Sequence, residues 1–445
     1  MDLDDLPRLP DPRAFAGDPL NTLRSLRRRG LDRVIIAEGR PLFSRQEACP
    51  GVVGVFGEDL VRTALTSDAF GMPPSAARTL SLPPELLNLN RSLHSMTAAE
   101  HAAQRRMLAS AMRASPADLK RTVDREAARL ATEDDAQPSP LLATLRRLTS
   151  RVAARIVLGP GPEALAAAEA ALQYFDLRRS AAPSPEAKPD PQDTLVRAGL
   201  LADRRLRRLV TSAAERPAGD GSLLASLVRD PADGLTEDQL VAHANILLIS
   251  GAEPVATVLA SVFVVLHHRP ALARQLGQWA LGDEPSDDLE RLVLEVLRLL
   301  PPNAFMTRVA LRDTAIGDCT LPRGAELLLC PFVSHREAPP FDEPDMFLPD
   351  RWRSVAPTAF QFMPFGAGAH ACIGRSWAMT LVLEGLLGVF RHLPHIALDE
   401  EDPIDWRVDI TLRPDRELMF TTRPRDRRGA RHNLIANMVD FPASP

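Results

Sequence analysis

The chain reads as a mainly α fold, a helical domain with a few small β-sheets, and three observations predict it. Ala, Leu, Arg and Glu recur at helical spacing through most of the 445 residues. Strand-like runs are few and short. Hydrophobic residues make up 45% of the chain, ample material for a large core.

In chain order, residues 34–37 and 52–56 are β-branched runs that read as strands, and the spacing then predicts helices over 98–113, 118–132, 142–158 and 164–177. The stretch 180–191 carries four prolines, which remove donors and clash with preceding turns, so a mobile loop is expected there. Residues 236–268 read as one long helix interrupted at 250–255, where Gly251 and Pro254 fall. A further helix stops at Pro301-Pro302, strands follow at 307–311 and 326–330, a helix spans 375–390, and a last strand covers 418–422. Residues 1–425 read as one catalytic domain, and 426–445 as a tail with a basic opening and an apolar end at 434–441 that would dock on something.

The net charge of −5 argues against nucleic acid as partner. The amino terminus is acidic and broken by Pro7, without the basic and apolar regions of a signal peptide, and no apolar run reaches the length of a membrane span. A soluble, cytoplasmic monomer is expected. The four cysteines show no Cys-x-x-Cys spacing, which disfavours zinc or a disulfide framework, and Cys319 and Cys330 in apolar strand-like segments read as packing residues.

Cys372 differs. It lies in Phe365-Gly-Ala-Gly-Ala-His370-Ala-Cys372-Ile-Gly374, a lone thiol among glycines, followed at once by a helix. A thiolate is an axial ligand of haem iron that favours O–O cleavage. Gly366, Gly368 and Gly374 would let the backbone turn tightly against a flat macrocycle, and the N–H groups opening the helix would hold the sulfur ionised. The run resembles the haem-binding loop of the cytochromes P450, Phe-x-x-Gly-x-x-x-Cys-x-Gly with a basic residue two before the cysteine, and every position is filled.

That resemblance covers nearly the whole chain and implies a haem b (heme, iron protoporphyrin IX) enclosed by the fold, with Cys372 as the metal ligand. It assigns Glu295 and Arg298 of a Glu-x-x-Arg pattern, together with Arg351, to a buried ion network bracing the cysteine loop, where losing one member should cost haem rather than turnover. It assigns His101, Arg105, Arg308 and His370 to the haem propionates, a role in which a bidentate arginine suits a carboxylate. The proline-rich stretch 180–191 takes the place of a loop that opens for substrate, and Arg106, Arg113, Arg353 and Arg375 that of a docking surface for an acidic ferredoxin. Substrate-facing residues would come from 83–93, 244–253, 303–306 and 410–412, mostly aliphatic, which suits a small hydrophobic substrate of secondary metabolism.

In one place the chain departs from the family. Ser250-Gly-Ala-Glu253-Pro254 stands where an oxygen-activating helix usually carries a threonine after the acid. Proline donates no hydrogen bond, so Pro254 should kink the helix, leave the Ser250 carbonyl free beside Gly251, and remove the hydroxyl that steers protons. Glu253 through ordered water, a substrate hydroxyl, or Thr257 would have to compensate. The implied function is a haem-thiolate monooxygenase supplied with electrons by ferredoxin and ferredoxin reductase. A peroxide-driven or otherwise atypical oxidation, coupling or desaturation, is the alternative that Pro254 favours; a fatty-acid carboxylate is disfavoured, because it would meet Glu253 in a poorly solvated pocket. A non-catalytic partner protein is a third reading, against which the intact cysteine loop weighs.

Overall fold

In the computed structural model of the chain, the described residues are 1–422 without 40, 43–48, 74–81, 92, 94, 95, 97, 114, 115, 134–137, 181–189, 214, 216–219, 230–233, 283, 403, 409 and 410. The helices that position the site are α1 (Pro84–Leu89), α2 (Ala98–Ala111), α3 (Pro116–Glu133), α4 (Leu141–Val157), α5 (Pro162–Ser180), α6 (Asp190–Ala213), α7 (Glu237–His268), α8 (Asp287–Leu299) and α9 (Arg375–His392). For α2, α3, α4, α5, α7 and α9 the bounds lie within a few residues of those the apolar spacing predicts, and α8 ends close to the expected stop at Pro301; α1 and α6 are helices that the sequence reading does not give.

The central element is α7. Thr236 and Gln239 open it with a reciprocal capping box, the side chain of each accepting the other's backbone N–H. Glu237 and Asp238 in the first turn and His267 and His268 in the last suit the helix dipole. From Leu240 onward most side chains are buried, as expected of a helix that is apolar nearly all round. By length and hydropathy α7 would cross a membrane, contrary to the sequence expectation, yet 83% of its most apolar window is buried inside the protein. It is the core helix.

The expected interruption at 250–255 is absent: α7 runs unbroken through Pro254. A proline inside a helix costs about 3 kcal/mol, and the burial of a dozen apolar side chains along α7 outweighs it. Hydroxyls tie the neighbouring carbonyls. Thr149 of α4 reaches the Ala252 carbonyl at 3.0 Å, and Thr257 donates to Glu253 O at 3.0 Å.

The main sheet is built from β1 (Arg33–Glu38), β2 (Gly51–Val55), β3 (Phe70–Gly71), β4 (Met306–Ala310) and β5 (Glu326–Leu329), in the order β1-β2-β5-β4-β3. Only β2 and β5 pair in parallel, with Val52 opposite Glu326; β4 runs antiparallel to β5 with Arg308 opposite Leu327. The expected last strand forms as Met419–Thr421 and pairs with Ser139–Pro140 and Ala397–Leu398. Cys319 and Cys330 are buried free thiols, and burial pushes Cys330 up to about 12.

Where four prolines suggest a loop over 180–191, α5 extends through Ser180 and α6 begins at Asp190. Pro191 falls in the first turn of α6, where a missing N–H costs nothing. The rest of that stretch, with its expected gating role, and the tail 426–445 lie outside the described residues.

The packing of α6 on α1 and α5 depends on Gly199. A Cβ there would stand 2.7 Å from Leu86 Cδ2 and 2.8 Å from Tyr174 Cε2. Tyr174 cannot retreat freely, because it is fully buried and its hydroxyl accepts from Asn90 Nδ2 at 2.8 Å. Gly199→Ala gains up to about 1 kcal/mol of helix propensity and loses about 1–3 kcal/mol to overpacking. A lower melting temperature is therefore expected, and an unchanged or higher one would show that α6 has room to shift.

Candidate active site

The turn before α9 is set by two glycines with positive φ, Gly366 at 67° and Gly368 at 72°. Gly368 admits no other residue, since a Cβ would be driven into the backbone carbonyl of Leu65. The loop then closes on itself, with the Cys372 N–H donating to Phe365 O at 2.7 Å and Ala371 N–H to Gly368 O at 3.1 Å. Gly374 caps α9, and its N–H bonds the Cys372 sulfur. The Cys372 Sγ opens into a cavity while its other sides are packed. Burial pushes the thiol up, and the Gly374 N–H and the Arg105 charge oppose that shift.

Behind the loop stands the ion network. Arg298, fully buried, holds Glu295 bidentately at 2.9 and 2.7 Å and donates to the carbonyls of His335, Pro344 and Met346. Glu295 also accepts from Arg351 Nε at 3.1 Å, Leu348 N–H at 2.9 Å and Trp352 Nε1 at 3.0 Å. His335 carries the brace to the loop. The Met363 N–H donates to its Nε2 at 2.9 Å, so Nδ1 bears the hydrogen and donates to Arg298 O at 3.2 Å. Burial holds this imidazole neutral, its pKa pushed down to about 3.

The cations expected near the cysteine loop meet at the same cavity. His101 and His370 pack ring to ring with centroids 4.2 Å apart, and burial, with the charge of Arg105, lowers the His101 pKa. Arg308 points from β4 and is buried to 5% exposure, donating only to Met72 Sδ at 3.2 Å and its neighbour's carbonyl at 2.8 Å. Burial pushes its pKa down to about 10. Neither Arg308 nor Arg105 forms an ion pair among the described residues. A buried guanidinium without an anion is a site waiting for one. Together with the glycine cradle and the lone thiol, this donor set fits a flat macrocycle bearing two carboxylates.

The cavity, of about 520 Å³, lies between that loop and α7. Cys372, Gly374, Phe365, His370, His101, Arg105 and Arg308 line it, as do Ser250, Gly251, Glu253 and Pro254. Of the segments expected to face substrate, Leu93, Ile246, Asn303, Phe305, Met306 and Thr411 line the wall, while Ile410 falls outside the described residues. Glu253 is 2% exposed and carries an ion cluster, with its Oε2 2.6 Å from Arg146 Nε and its Oε1 3.4 Å from Arg179 Nη1. Arg146 also binds Asp176, at 2.9 Å. Burial raises the Glu253 pKa, against the pull of Arg146 and Arg179.

Arg106, Arg113, Arg353 and Arg375 are all exposed. Arg353 is engaged with Asp350 at 2.8 Å and Asp288 at 3.0 Å, and the Arg375 guanidinium lies 5.7 Å from the Phe365 ring. Sequence reading missed His335, Arg146, Arg179 and, in the cavity wall, His243, and it gave Trp352, next to Arg351, no role. The first four carry no local motif and join the site through tertiary packing.

Comparison with known proteins places this geometry. Residues 207–419 match the family model described as cytochrome P450. The chain is 31% identical to cyclooctatin synthase of Streptomyces melanosporofaciens over 46% of its own length and 52% of that protein. It is 30% identical to cyclooctat-9-en-7-ol 5-monooxygenase of the same organism, over 40% of its own length and 44% of that protein. The chain thus spans about half the length of the curated relatives it matches. Among solved structures, it is similar in fold to CYP175A1 of Thermus thermophilus, with a TM-score of 0.69 at 23% identity, covering 93% of this chain and 99% of that one. The polyketide synthase cytochrome P450 PksS of Bacillus subtilis gives 0.69 at 16% identity, covering 93% and 99%.

Two outcomes follow from the loop and its brace. Gly368→Ala should destabilise the fold by roughly 3 kcal/mol or more, from αL strain and the backbone clash, with haem retention per protein lost alongside; a variant that melts like the parent and stays loaded contradicts the cradle. His335 binds a proton near pH 6.5 when unfolded and only near 3 when folded, so its contribution is full above about pH 6.5 and is lost as the pH falls towards 3. In urea titrations the stability gap between the parent and His335→Phe should therefore shrink between about pH 7 and pH 4, and a constant gap would show that the imidazole binds its proton alike in both states and is not held neutral by the fold.

Proposed function

We propose, on the premise that the chain belongs to the cytochrome P450 family, that it is a haem-thiolate monooxygenase inserting one oxygen atom into a small hydrophobic molecule, with electrons from a ferredoxin and its reductase. Cys372 carries the reading. A lone thiol held by the Gly374 N–H opens into an apolar cavity, facing α7, whose wall offers a buried carboxylate. The relative named as a monooxygenase supports the reaction class. In this reading residues 1–425 act as one cytoplasmic, monomeric catalytic unit, and 426–445 is a tail beyond it.

Haem b bound there would supply the oxygen and one-electron chemistry. The chain's part is to hold and shield it. Cys372 would be the axial ligand, and metal binding would keep the thiol ionised despite burial. Arg308 and Arg105 would neutralise the propionates, and His101 and His370 would donate hydrogen bonds to them, which explains two guanidinium groups without ion pairs. The aliphatic wall excludes water and orients the substrate. Glu253 holds the proton: burial raises its pKa towards the working range of a general acid, and Arg146, with a side chain 23% exposed, links it to the surface. Exposed Arg106, Arg113 and Arg375 offer a positive face to an acidic ferredoxin.

A second reading rests on Pro254. With no hydroxyl at that position, the enzyme would use hydrogen peroxide directly, for which threonine-directed proton delivery is not needed. Purified holoenzyme with a panel of apolar metabolites separates the two. Product with ferredoxin, reductase and NADPH supports monooxygenation, and efficient product with peroxide alone supports the second reading. Under the first, Glu253→Gln should slow electron-driven turnover about a hundredfold, and Pro254→Thr should raise product per electron. Unchanged coupling in both variants would place proton delivery elsewhere.

A further inference from the structure

His243 lies on α7 two turns before Ser250, on the stripe shared by Leu247, Ser250 and Pro254, all of which line the cavity. Its ring is fully buried, and Nε2 lies 2.6 Å from Oε1 of Gln104 on α2. A chain of partners fixes which ring nitrogen carries the hydrogen. Glu100, held by Arg91 at 2.8 Å, faces the Gln104 amide nitrogen at 3.4 Å. A carboxylate only accepts, so the amide presents its nitrogen to Glu100 and its oxygen to the imidazole. That oxygen also only accepts. Nε2 is therefore the protonated nitrogen, and Nδ1 is left with a bare lone pair.

Among the described residues nothing meets that lone pair: Nδ1 has no hydrogen-bond partner there. Burial keeps the ring uncharged, its pKa pushed down to about 4. The wall around it is apolar, with Leu108 one turn along α2 from Gln104, Leu247 one turn along α7, and Leu93 in the same cluster. A stranded acceptor of this kind is destabilising, and its orientation by Gln104 and Glu100 is too specific for an apolar wall to require. The ring lines the cavity, so a donor would arrive on a ligand that fills it.

We propose that His243 Nδ1 accepts a hydrogen bond from a hydroxyl of the substrate, so that the cavity selects hydrophobic alcohols over the corresponding ethers and hydrocarbons. Gln104 is the positioning residue that holds the accepting tautomer. The assignment rests on the reading that the cavity takes a small apolar substrate.

Equilibrium dialysis of the holoenzyme against decanol, decyl methyl ether and decane tests it. The parent should bind the alcohol about tenfold tighter than the ether, the worth of one hydrogen bond at the upper end of its usual range. In His243→Leu that ratio should fall to about one while decane binding holds or improves. Gln104→Leu should narrow the ratio too, because the tautomers are then free to mix, and it provides the readout should His243→Leu misfold. A parent with no preference, or a ratio that survives both substitutions, overturns the role of His243 and leaves the apolar cavity standing. If none of the three compounds binds, the apolar-substrate reading itself fails, and the proposal with it.

Discussion

Arg298 is a guanidinium without solvent, and such a charge persists only if its surroundings answer every donor. Glu295 takes two of its hydrogen bonds, and three carbonyls from the segment 335–346 take others. The pair is weak as a source of stability, because desolvation consumes much of the Coulomb gain. As a constraint it is strong. The carbonyls it engages belong to a stretch with little regular structure, which α8 thereby fixes; through His335 and Met363 the constraint reaches the turn where Gly366 and Gly368 place Cys372. The sulfur is positioned from behind by ions and from the front by its own glycine-rich turn.

The other wall of the cavity follows a different logic. α7 must be apolar enough to serve as the core, yet it carries Glu253 and Pro254 at its middle. Burial of the flanking turns lets the helix tolerate a proline, and Arg146 and Arg179 let it tolerate a carboxylate. Because those arginines sit on α4 and α5, the protonation of Glu253 is tied to how these helices pack. The chemistry proposed for the site and the packing of its roof therefore share one ion cluster.

Much of this was legible in the sequence where the information is local. The cysteine loop is a contiguous run whose glycines have a backbone reason, and Glu295 and Arg298 meet because three residues on a helix share a face. Helix bounds followed apolar spacing. What escaped was set by tertiary packing: His335 bridges two segments without a motif of its own, and the meeting of His243 with Gln104 joins α7 to α2. The unbroken course of α7 through Pro254 escaped for the same reason, since burial overrode a local rule that is sound for an isolated helix. Pro191 escaped through position, because a proline in a first turn begins a helix.

The central claim is that Cys372, held in this loop, is a thiolate ligand to haem. The difference spectrum of the reduced holoprotein with carbon monoxide tests it most directly. The account predicts the long-wavelength Soret band of thiolate ligation in the parent protein and its loss in Cys372→Ser. A fully loaded parent without that band, or a Cys372→Ser protein that keeps it, would contradict the account.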